Sequence, residues 1–130
     1  MPRLTRRAVI MTGFALGLAL WAVPLLLFNQ SEPWNGRGPA YAVALVLSGF
    51  IVGFLGPRQV FAAVAGVFGG QLMALIAGMI RDPSTREVWM VSLLLVAGYT
   101  FVAAGAGALL GTAARGKFVP VPRGEDRRGR

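Results

Sequence analysis

Residues 8–28, 40–55, 60–80 and 88–112 contain no Asp, Glu, Lys, Arg or His. These runs are 21, 16, 21 and 25 residues long, whereas about a quarter of the residues in an ordinary soluble chain are charged. An ion at mid-helix in hydrocarbon costs about 2.5–3.5 kcal/mol on the insertion scale, so long uncharged runs are what a bilayer selects. The pattern predicts an all-α integral membrane protein, an antiparallel bundle of four transmembrane helices over those four runs. Residues 1–114 then form one membrane domain, because the loops are too short for a second core. Residues 115–130, with Pro120, Pro122, Gly124 and mixed charges, read as a basic, disordered cytoplasmic tail.

The charges set the orientation. With both termini inside, Arg3, Arg6, Arg7 and Arg58 lie on the cytoplasmic side together with Arg115, Lys117, Arg123, Arg127, Arg128 and Arg130. The outer loops hold Arg37, Arg81 and Arg86, which Glu32, Asp82 and Glu87 neutralise. The positive-inside rule therefore predicts an N-in, C-in protein. Trp21, Trp34 and Trp89, with Tyr41 nearby, all fall toward the outer boundary, where an interfacial aromatic belt belongs. The segment Thr5-Arg6-Arg7-Ala8-Val9-Ile10 is similar to a twin-arginine export signal. The apolar run behind it is longer than a signal-peptide core and has no A-x-A-like cleavage site, so the first helix is expected to stay.

Twelve of the thirteen basic residues are Arg, beside abundant Ala, Gly and Val, as a GC-rich bacterial genome tends to encode, and the expected location is a bacterial cytoplasmic (inner) membrane. With no Cys and no His, thiolate and imidazole ligation are excluded, and neither cofactor nor metal is expected. The formal charge of +8 sits beside the spans and in a tail without aromatic interleaving. Anionic lipid headgroups at the cytoplasmic face are the expected counter-charge, and nucleic acid is not.

Small residues recur four apart in every span: Gly13 and Gly17, Gly49 and Gly53, Gly107 and Gly111, and in the third span Ala62, Gly66, Gly70, Ala74 and Gly78. Residues four apart share a helix face, and without side chains there another backbone can approach closely. Such a stripe is a helix-packing surface, either within the chain or between subunits. Ser48, Gln71 and Thr100 sit near the middle of their spans by count. They form a polar node at the midplane, acting as interhelical glue or as the wall of a solute path. Glu32, Trp34, Arg37 and Asp82 make an outer-loop contact surface, in loops whose charges balance overall. The Gly56-Pro57-Arg58-Gln59 turn is expected to join spans two and three, with Gly56 as left-handed cap. A faint repeat at a spacing of 49 or 50 residues pairs Gly17 with Gly66 and Glu32-Pro33 with Asp82-Pro83.

With no ionisable group at depth, a proton-coupled transporter, a pump or an enzyme is not expected. The leading expectation is an accessory or scaffold subunit of a membrane assembly, working through Gly/Ala-mediated helix packing against other subunits or itself. The alternative is a homo-oligomeric channel or facilitator for a small neutral or anionic solute, with Phe61 and Phe68 beside the polar node. Small multidrug exporters share the size and span count, but their membrane-embedded Glu has no counterpart in residues 8–28.

Overall fold

The computed structural model describes residues 4–28 and 39–118, and every regular element among them is helical. Helix α1 covers Arg6–Phe28, α2 Ala40–Leu55 and α3 Val60–Arg81. A 3-10 turn over Pro83–Glu87 leads into α4, Trp89–Phe118. Helix α4 is α-helical over Trp89–Tyr99, makes a π turn over Thr100–Ala104 and is α-helical again over Gly105–Phe118. By length and composition α1, α3 and α4 are apolar enough to cross a membrane, and α2 is a shorter apolar helix.

Local chemistry explains the ends. Thr5 caps α1, accepting from the Val9 N–H on its carbonyl at 3.0 Å and from the Ala8 N–H on its hydroxyl at 3.3 Å. Pro24 is accommodated near the end of the same helix. Between α2 and α3 the left-handed residue is Arg58, at φ 76°, and not Gly56, whose φ is −122°. Position 56 is glycine for another reason: a Cβ there would overlap a methyl of Val9 from α1. Helix α4 continues beyond residue 114, so 115–118 belong to the helix and not to a tail. The remainder of that tail lies outside the described residues.

The helices associate through two glycine seams. In the first, Gly13 and Gly17 of α1 face Ala63, Gly66 and Val67 of α3, while Gly66 and Gly70 face Ile10, Gly13, Phe14 and Gly17 in return. In the second, Gly49 and Gly53 of α2 meet Ala104 and Ala108 of α4, and Gly107 and Gly111 meet Val46 and Phe50. Residue numbers rise together along each seam, so α1 runs parallel to α3 and α2 parallel to α4. At most of these glycines an added Cβ would collide with a carbonyl oxygen of the facing backbone. Carbonyls lying over glycine Cα atoms make weak C–H···O contacts as well as van der Waals contact.

Two small clusters join the pairs. Val9, Val52, Ala62, Ala63 and Ala108 bring together the start of α1 and α3 with the later parts of α2 and α4. Tyr41, Leu45, Val67 and Ala104 form the second cluster.

Candidate functional site

Four buried residues of α2, Tyr41, Leu45, Ser48 and Val52, are spaced four, three and four apart and make one face. At one end of that face Tyr41 meets Gln71 of α3, which is fully buried. The Tyr41 hydroxyl donates to Gln71 Oε1. Gln71 Nε2 donates to Thr100 Oγ1 of α4 at 2.6 Å and weakly to the carbonyl of Val67 at 3.4 Å. One amide therefore bonds side chains from two other helices, and Tyr99 packs edge-on against Tyr41 at 5.8 Å between ring centres.

Thr100 reaches this position because it opens the π turn. The buried residues Ser92, Val96, Thr100, Ala104 and Ala108 repeat every four positions. In a helix of about 3.6 residues per turn such a repeat drifts by about 40° at each step. The extra residue of a π turn resets the face, so Thr100 and Ala108 both point into the bundle.

Of the sequence-derived node, the structure joins Gln71 and Thr100 and leaves Ser48 out. The Ser48 hydroxyl donates to the Ala44 carbonyl of its own helix at 2.8 Å, the usual way a serine is satisfied mid-helix. Tyr41, read from sequence as part of the aromatic belt, takes its place. The signal was the spacing of Tyr41 to Ser48 on one α2 face.

The stripe of α3 divides in two. Ala62, Gly66 and Gly70 are buried, Ala74 is half-buried, and Gly78 is exposed with open space where a Cβ would be. Within α4, Gly107 and Gly111 lie in the seam while Gly98 and Gly105 face open space. Gly17 and Gly66, matched in the faint repeat, lie in the same seam, whereas Gly98, at the same spacing from Gly49, has open space where a Cβ would be. Of the outer-loop residues, Glu32, Trp34 and Arg37 lie outside the described residues, and Asp82 is exposed. Its carboxylate accepts from the Ser84 hydroxyl at 2.6 Å and the Ser84 N–H at 3.1 Å, and these bonds lower its pKa from the ordinary value.

Two features differ from or lie outside the sequence reading of the site. Arg115, counted from sequence among the lipid-facing basic residues, is buried: its Nη1 donates to the carbonyls of Phe54 and Leu55 at 2.8 and 3.0 Å. The guanidinium lies 5.9 Å from the centre of the Phe54 ring. A cation thus caps the unsatisfied carbonyl end of α2, where the helix dipole is negative. At the opposite end of the bundle a pocket of about 440 Å³ opens between α1, α3 and α4. Trp21, Leu75, Met79 and Trp89 contribute its apolar walls, Arg81 and Asp82 its rim. Among the described residues no cluster of His, Cys, Asp or Glu is disposed to hold a metal.

No family model matches the chain, and comparison with curated proteins and with solved structures likewise yields no match.

Proposed function

We propose that this chain is a four-span, antiparallel protein of a bacterial inner membrane, both termini cytoplasmic, that serves as an accessory or scaffold subunit of a membrane assembly. The outward faces support insertion. Phe61 is 90% exposed, Leu26 79%, Val102 75% and Leu94 71%, a belt that water would not tolerate and lipid would solvate. The charge asymmetry between the two sides supports the orientation.

The observation that carries the scaffold reading is that the helix seams and the midplane amide are satisfied from within the chain. Both seams are filled by the chain's own backbone, and the groups of Gln71 are spent on Tyr41, Thr100 and Val67. Chemistry or conduction needs groups free to engage a solute; bonds made only within the bundle hold a shape. Rigid shape with an apolar exterior suits docking beside other helices. Gly98 and Gly105 on α4 are small positions still open to a partner helix.

Gentle-detergent extraction from the native membrane, followed by mass spectrometry of whatever co-purifies, tests this. The expected result is a defined partner set, reduced by Gly98→Leu or Gly105→Leu. A parent chain that purifies alone as a monomer overturns the scaffold assignment. The channel alternative predicts altered solute flux in vesicles carrying Gln71→Leu, and unchanged flux removes that residue from any path.

A further inference from the structure

The outer pocket is built as ligand sites are built, and no role described so far uses it. Its volume of about 440 Å³ falls in the range typical of small-molecule sites, about 300–1,000 Å³. Its walls are apolar and aromatic, with three polar groups: Arg81, Asp82 and Ser92. Ser92 is only 6% exposed, and its hydroxyl makes no hydrogen bond among the described residues. The oxygen itself is not sealed off and opens to the pocket, where a ligand acceptor can meet it. Arg81, at the rim, likewise has no hydrogen bond or ion pair among the described residues.

From this we infer that the pocket binds one zwitterionic phospholipid of the outer leaflet, its phosphate on Arg81, its ammonium toward Asp82 and a glycerol-ester oxygen on the Ser92 hydroxyl. Neighbouring opposite charges at the rim match a headgroup that carries both signs a few ångströms apart. An anionic headgroup without the ammonium would meet the Asp82 carboxylate unfavourably. Trp21 and Trp89 stand in the pocket wall, where interfacial tryptophans meet the headgroup layer. Guanidinium–phosphate pairing supplies direction, and the tryptophan walls supply contact area.

This inference rests on the membrane reading, and one experiment separates the two. Trp34→Phe leaves Trp21 and Trp89 as the only tryptophans of the full chain. That protein is reconstituted into phosphatidylglycerol vesicles containing either phosphatidylethanolamine or phosphatidylglycerol with dibrominated acyl chains, and tryptophan quenching is measured. The expected result is an apparent affinity about threefold higher for the ethanolamine lipid, the size of effect one partly exposed ion pair gives. Asp82→Asn, which keeps an acceptor for Ser84, should abolish that preference. Arg81→Gln and Ser92→Ala should each weaken quenching by the ethanolamine lipid. Equal quenching by the two lipids, a preference for phosphatidylglycerol, or variants indistinguishable from the parent would overturn the lipid site while leaving insertion intact. Absence of quenching by either lipid would overturn insertion and the site together.

Discussion

At the scale of single residues, the same amino acid has opposite value two positions apart. Gly107 lies against the Val46 carbonyl while Gly105 faces open space. Gly107→Ala is expected to push α2 and α4 apart and cost about 1–3 kcal/mol, the range for overpacking a tight contact. Gly105→Ala should be neutral or stabilising by up to about 1 kcal/mol, from helix propensity alone. Unfolding in detergent, followed by circular dichroism, distinguishes them. Gln71→Leu removes bonds to two other helices and is expected to cost about 1–2 kcal/mol in the same assay, modest because Thr100 can turn to a carbonyl of its own helix. Arg115→Ala strips two carbonyls of a charged donor and should cost about 2 kcal/mol, with Arg115→Lys recovering only part because an ammonium lacks the planar fork. None of these distinctions was visible in the amino-acid order. Gly105 and Gly107 look alike as letters, and Arg115 looked like any other arginine beyond the end of a span.

At the scale of elements, helix type and length were largely legible, because an uncharged run of more than fifteen residues has few ways to satisfy its backbone other than as a helix. The π turn was not legible. It answers a conflict between a four-residue repeat of small and polar residues and the natural period of the helix, and the conflict matters only once the facing helix is in place. The 3-10 turn after α3 belongs to the same scale. Hydrogen bonds donated by Ser84, first from its side-chain hydroxyl and then from its backbone N–H, hold the Asp82 carboxylate below the ordinary range. A folded pKa below the unfolded one means that the turn is stabilised at neutral and mildly acidic pH. The contribution is lost as pH falls through the lowered pKa. Nuclear magnetic resonance of the Ser84 amide against pH should show that transition below the usual aspartate midpoint, and Asp82→Asn should abolish it.

At the scale of the whole molecule, the pairing of helices decides what surface remains for function. Because the α1–α3 and α2–α4 seams are internal, the outer faces and the pocket beside Trp21 and Trp89 are the surfaces that the proposed membrane role leaves for lipid or a partner. For the orientation proposed above, cysteine accessibility should place Asn35→Cys and Arg128→Cys on opposite sides of the membrane, and labelling on one side would refute it. Composition and spacing alone determined that the chain is helical, that its helices are apolar enough for a bilayer, and that glycines four apart permit backbones to touch. They did so because charge, length and periodicity are properties of each segment taken separately. Which stripe meets which, why Ser48 bonds its own helix while Tyr41 crosses to Gln71, and where Arg115 ends depended on the assembled bundle. A close contact needs two surfaces whose registers agree, and that agreement exists only between segments, after they have been brought together.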